Sequence, residues 1–142
     1  MEPYKNKKLE RRKFGKWLSD VSIDGDWLIT GGGPAPSMWH LRAMAPTVIP
    51  ELPDHCSAVF VTKLVKSEDR VVFGGQFGGN LVYHYNLNGQ LMAEIKTESS
   101  CIYSVESTVQ KDFKLMSLGG ASNKMTLCTH NFSYPDNSVS FP

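Results

Sequence analysis

Trp27-Leu28-Ile29-Thr30-Gly31-Gly32, Val71-Val72-Phe73-Gly74-Gly75 and Leu115-Met116-Ser117-Leu118-Gly119-Gly120 are three versions of one phrase. Each is an apolar strand running into a glycine pair, and the pairs recur after 43 and then 45 residues. A short turn follows each pair, and then a second strand: Ser37-Met38-Trp39-His40-Leu41, Leu81-Val82-Tyr83-His84-Tyr85-Asn86-Leu87 and Lys124-Met125-Thr126-Leu127-Cys128. Around these, runs rich in Val, Ile, Phe, Tyr, Trp and Thr alternate with Gly, Pro, Asn and Asp clusters, the signature of short strands joined by tight turns. The pattern predicts strands over 17–23, 26–31, 37–42, 46–50, 57–62, 70–74, 80–86, 90–95, 101–106, 114–118, 124–129 and 138–141. Asp24-Gly25 and Asn88-Gly89 read as hairpin turns of type I′, which needs positive φ at both central residues. The one helical signal lies over residues 4–14, ended by Phe14-Gly15.

A repeat of roughly 40–45 residues carrying about four strands is the spacing of WD40 propeller blades. The sequence therefore predicts an all-β fold: a WD40-type β-propeller segment of about three four-stranded blades, part of a seven-bladed propeller. The blades are expected over about 17–55, 56–99 and 100–142, preceded by a basic arm or inter-blade loop at 1–16. Gly31, Gly32, Gly74, Gly75, Gly119 and Gly120 are expected to supply positive φ and room for a close backbone. Trp39, Tyr85 and Cys128 fall where the "WD" aromatic sits, so the third copy has lost its aromatic. Three blades alone leave an open strand edge and bare apolar faces. The expectation is that this is the C-terminal part of a longer propeller, with closure by self-association as the alternative.

The chain has 142 residues, 41% apolar and 20% charged, the composition of one globular domain or part of one. No run approaches the ~20 apolar residues that span a bilayer, and residues 1–20 hold basic residues without an apolar h-region, so no membrane partner or secretory route is expected. Net charge is +1, but Lys5, Lys7, Lys8, Arg11, Arg12, Lys13 and Lys16 against Glu2 and Glu10 give residues 1–16 a charge of +5. The body carries −4 and lacks the clustered positive charge of a nucleic-acid surface. Lys7, Lys8, Arg11, Arg12 and Lys13 are the candidate RNA or nuclear-import contacts, against the plainer reading of a solvated loop. With only Tyr4 and Phe14 as aromatics, the arm gives base stacking poor support.

Chemical motifs are sparse. Gly74 and Gly79 have P-loop spacing, but Asn80-Leu81 stands where Lys and Ser or Thr are required. Gly31-Gly32-Gly33 precedes no helix. Cys56, Cys101 and Cys128 form no CxxC pair and read as small buried hydrophobes. His40, His55, His84 and His130 have no ligand partner at zinc spacing. His40 is expected to make a structural hydrogen bond, and His84 to face away from Tyr83 and Tyr85. Asp20, Asp24 and Asp26 fit turn chemistry around one hairpin. Asn131-Phe132-Ser133 is a sequon without a route to glycosylation. There is no G-x-S-x-G element. No catalytic residue, metal, cofactor or small-molecule substrate is expected.

Phe14-Gly15-Lys16-Trp17, Gly25-Asp26-Trp27-Leu28, Gly31-Gly32-Gly33-Pro34-Ala35 and Trp39-His40-Leu41-Arg42 together resemble the C-terminal half of the THO complex subunit 6 family of WD-repeat proteins. Gly74-Gly75-Gln76 and Leu87-Asn88-Gly89 fall where that family has a Gly-Gln turn and a strand ending in a polar-Gly hairpin. The likeness is sharp over 14–42, looser over 70–95 and faint beyond 101. The resemblance implies a propeller about twice this length. It also implies a nuclear, non-catalytic subunit of the THO part of the TREX assembly, holding other subunits together in mRNA packaging and export. Partners would be other THO/TREX subunits, with RNA met indirectly or weakly. No partner-contacting residue is marked by a motif in this stretch.

Overall fold

Twelve strands build three sheets in the computed structural model, which describes residues 2–129 and 134–140. His130 and the sequon at Asn131-Phe132-Ser133 lie outside the described residues. The first sheet holds β1 (Leu18–Asp24), β2 (Trp27–Gly32), β3 (Ser37–His40) and β4 (Ala45–Val48). The second holds β5 (Cys56–Val65), β6 (Arg70–Phe77), β7 (Leu81–Tyr85) and β8 (Leu91–Lys96). The third holds β9 (Ile102–Gln110), β10 (Phe113–Gly120), β11 (Lys124–Thr129) and β12 (Tyr134–Ser140). Within each sheet the strands are antiparallel and follow chain order, so each is a meander joined by short turns.

Neighbouring sheets meet mainly through their first strands: β1 and β2 lie on β5, and β5 and β6 lie on β9. The inner strands β1, β5 and β9 therefore run side by side while the outer strands diverge, which is the arrangement of propeller blades. Two apolar clusters fill the two seams. Ile29 and Met38 of the first sheet pack on Val59, Leu64, Val71, Phe73, Tyr83 and Tyr85 of the second. Val61, Val65, Val72 and Val82 pack on Ile102, Val105, Met116 and Leu118 of the third. Period-2 alternation explains the division: Val71 and Phe73 face one seam, and Val72 between them faces the other.

The glycine pairs have a different cause from the one expected. Of the six, only Gly32 takes a positive φ, at 152°. Each pair instead lies opposite a β-bulge in the inner strand of its own sheet. Leu18 and Asp20 pair with Gly32 and Gly31 and leave Ser19 as the extra residue. Val59 and Val61 pair with Gly75 and Gly74 and leave Phe60. Ile102 and Ser104 pair with Gly120 and Gly119 and leave Tyr103. The bulged backbone presses on the second glycine: a Cβ on Gly75 would stand 2.6 Å from the Ala58 carbonyl, and one on Gly120 would run into the Cys101 carbonyl. The first glycine makes room for the next sheet, with Gly31 against Val59 and Thr62 and Gly74 against Ile102.

Two further expectations change. Only the glycine of each hairpin pair has positive φ (61° at Gly25, 82° at Gly89), so neither turn is type I′. Residues 4–14 form no continuous helix. They make three single 3₁₀ turns at Pro3–Lys5, Lys7–Leu9 and Arg12–Phe14. Asn6 and Glu10 are extended, and the Asn6 side chain accepts from the Lys8 N–H, so the helical ladder is interrupted. Leu9 is fully buried, and its carbonyl accepts from Ala35 N–H at 2.9 Å. Tertiary docking, not helix propensity, sets the path of this segment.

Candidate functional site

The seam between the first two sheets is held by a side-chain ladder as well as by apolar contact. Alternate residues of β1 face the open edge of β5. Asp20 Oδ2 accepts from Thr62 N–H at 2.7 Å, Ser22 Oγ from Leu64 N–H at 3.0 Å, and Asp24 Oδ2 from Lys66 N–H at 2.9 Å. The ladder satisfies edge donors that a free strand would present to water or to another chain. Asp20 and Asp24 are thus seam acceptors rather than turn residues. Asp26 pairs with Arg42 at 3.1 Å. Across the second seam, Lys63 Nζ meets Glu106 at 2.7 Å.

Trp39, Tyr85 and Cys128 stand at one register, opposite Leu28, Val71 and Met116, and all three are buried. In the first sheet the Trp39 Nε1–H donates to Ser37 Oγ at 2.8 Å, which lies 3.0 Å from Thr30 Oγ1. In the second, aromatic rings replace that polar chain. Tyr85 packs on Phe73 at 5.6 Å, and its hydroxyl donates to the Glu51 carbonyl at 2.6 Å. Burial pushes the Tyr85 phenol up to about 12. The three cysteines are buried.

His40 packs edge-on against Trp27 at 4.8 Å, in place of the expected hydrogen bond. His55 Nε2 lies 2.9 Å from the Tyr83 hydroxyl. His84 lies on β7 between Tyr83 and Tyr85, which belong to the first-seam cluster, and its register partner is Val72 of the second seam. It is fully buried, and among the described residues neither ring nitrogen has a hydrogen-bond partner. Burial, with a smaller push from Arg70, lowers its pKa to about 4, so the ring is neutral at physiological pH.

The basic segment is tied to the sheets through Arg11. Its guanidinium donates from Nη2 to the carbonyls of Cys56 at 2.7 Å and Ser57 at 3.0 Å, and lies over the Phe14 ring at 4.2 Å. Lys7, Lys8, Arg12 and Lys13 are exposed, Arg12 pairing with Glu10 at 3.2 Å. The candidate cluster therefore splits into one anchor and four outward cations. The segment lies on the rim that carries the β2–β3 turn and the start of β5, because Gly33 N–H donates to the Trp17 carbonyl at 3.0 Å.

The same rim carries a feature absent from the sequence reading. Trp17 stacks on Phe60 at 5.8 Å and 18°, and Phe60 meets Tyr103 at 6.1 Å. Phe60 and Tyr103 are the extra residues of the bulges in β5 and β9, and Trp17 directly precedes β1. Trp17 is 44% and Tyr103 61% exposed. A cavity of about 320 Å³ beside this row is lined by Asp20, Thr62, Lys63 and Glu106. Among the described residues, no three His, Cys, Asp or Glu side chains form a group that could hold a metal, and no helix is long and apolar enough to cross a membrane.

No protein-family model matches the sequence. The chain is 37% identical over 98% of its length to THO complex subunit 6 of Drosophila melanogaster, of which it covers 37%. It is 33% identical over 99% to the Danio rerio homologue, covering 42%, and 31% identical over 99% to the human protein, covering 40%. The chain thus spans about two fifths of the length of the curated relatives it matches. Among solved structures, a chain of the mitotic checkpoint complex superimposes on 87% of this chain with a TM-score of 0.70 at 16% identity, and 39% of that chain is covered. That likeness speaks to the fold alone, a WD40 propeller.

Proposed function

We propose that this chain, similar to THO complex subunit 6 along nearly its whole length, contributes to a non-catalytic WD-repeat scaffold of the THO/TREX complex. The scaffold would act in the nucleus, in mRNP assembly and mRNA export. The observation that carries the reading is the match of 31–37% identity, which runs through all three sheets rather than one generic repeat. The architecture supports it. Propeller blades stacked through apolar seams present turn-rich rims to other proteins.

The test is affinity purification of the tagged chain from nuclear extract, beside a full-length relative. Recovery of THO subunits with both is the expected result. Recovery with the relative and none with this chain would refute the scaffold role for this stretch.

A further inference from the structure

We propose that the rim carrying Trp17, Phe60 and Tyr103 binds single-stranded RNA. Two independent features converge there. One is the row of rings, Phe60 in contact with Trp17 at 5.8 Å and with Tyr103 at 6.1 Å, whose two end rings are open to solvent and can each take a base. Bases stack on such rings whatever their identity, because every base has a π-face. The other is the basic segment that runs into the row. Lys16 directly precedes Trp17, and Gly15 approaches so closely that a Cβ on it would lie 3.1 Å from Trp17 Cδ1. A cavity of about 150 Å³, lined by Tyr4, Glu10, Arg11, Arg12, Gly15, Lys16 and Pro34, opens beside it, with three cations against one carboxylate, and is large enough for a phosphate.

Lys16 Nζ lies 5.4 Å from the centre of the Tyr4 ring, which holds an exposed cation over the cavity. Arg12 is held by Glu10 at its edge, and Lys7, Lys8 and Lys13 continue the positive field along the same segment. Charge complementarity thus selects a polyanion, and the rings select one with exposed bases, which a duplex does not present. The bulges explain how the site is built. An ordinary ladder would alternate Phe60 and Tyr103 into a seam or the sheet face, whereas as the extra residues of β5 and β9 they turn their rings out to the rim, where Trp17, just ahead of β1, meets Phe60. The choice of RNA over DNA rests on the proposed mRNP role; the stacking geometry does not.

The test is fluorescence anisotropy of labelled U12 and dT12 with the whole chain, across a salt series. Binding of U12 with a negative salt slope is expected. Trp17→Ala and Tyr103→Ala should each weaken it about 5- to 150-fold at unchanged slope, since stacking contributes about 1–3 kcal/mol per base. Trp17→Tyr should retain most of the affinity. Lys16→Gln should flatten the slope by about 0.7, one phosphate on a single strand. Tyr103→Ala changes a solvent-exposed ring, so a folded variant remains available if Trp17→Ala fails to fold. No U12 binding, or binding untouched by both aromatic variants, would overturn the proposal. So would a tenfold preference for dT12, and so would a protein partner that needs Trp17 where U12 does not bind. Because the assay uses RNA and this chain alone, its failure leaves THO copurification standing, and the reverse.

Discussion

His84→Met tests whether the second sheet carries a buried neutral imidazole as a liability to acid. Met is the natural replacement, since Met38 holds the matching register in the first sheet, opposite Ile29 as His84 lies opposite Val72. In the folded chain the imidazole pKa is lowered to about 4 from an ordinary 6.5, by burial first and Arg70 second. A lowered folded pKa means the unfolded chain binds the proton first. Stability is therefore full above about pH 6.5 and is lost as pH falls toward 4. With 1.36 kcal/mol per pKa unit, the loss from this residue is about 2 kcal/mol at pH 5 and about 3 kcal/mol once the folded ring also protonates. Carboxylates titrate in both proteins, so the difference between wild type and variant isolates the histidine. Urea unfolding at pH 7.5, 6, 5 and 4.5 is the assay. The variant should be at least as stable at pH 7.5, because it removes two orphaned ring nitrogens. Its advantage should widen by about 2 kcal/mol at pH 5. An advantage that stays constant with pH would refute the reasoning, because the ring would then be solvated or partnered.

Adjacent glycines of the third pair should respond oppositely to a methyl group. Gly120→Ala drives a Cβ into the Cys101 carbonyl and should cost more than about 2 kcal/mol in thermal or urea unfolding, whereas Gly119→Ala meets no atom within 4 Å and should be neutral or slightly stabilising. Asp20→Ala removes the acceptor of Thr62 N–H from the first seam and should cost about 2 kcal/mol. Amide exchange should show the loss as faster exchange at Thr62 in β5, and unchanged protection there would remove the ladder from the account.

The strands were legible because their signals are local. Apolar alternation of period two and Gly, Asn and Asp clusters are written within a few residues, and each of the twelve expected ranges overlaps a strand, with β5, β6, β9, β10 and β12 running at least three residues longer than expected. The candidate site was largely illegible. Ser19, Phe60 and Tyr103 are equivalent only through their bulges, and unequal hairpin loops set them at a different distance from their glycine pairs in each sheet. Arg11 reads as one more cation in a run, yet it anchors that run to the start of β5.

The order of amino acids alone determined that the chain is β-rich, repeats in phase and resembles one WD-repeat family, because hydrophobic period and turn chemistry need no distant partner. Only the tertiary structure decided which glycines yield to a neighbouring backbone, which carboxylates close a seam, and that rings from β5, β9 and the residue ahead of β1 share one rim. Those outcomes depend on contacts between residues from about fifteen to more than forty positions apart, whose energies appear only once packing has brought them together.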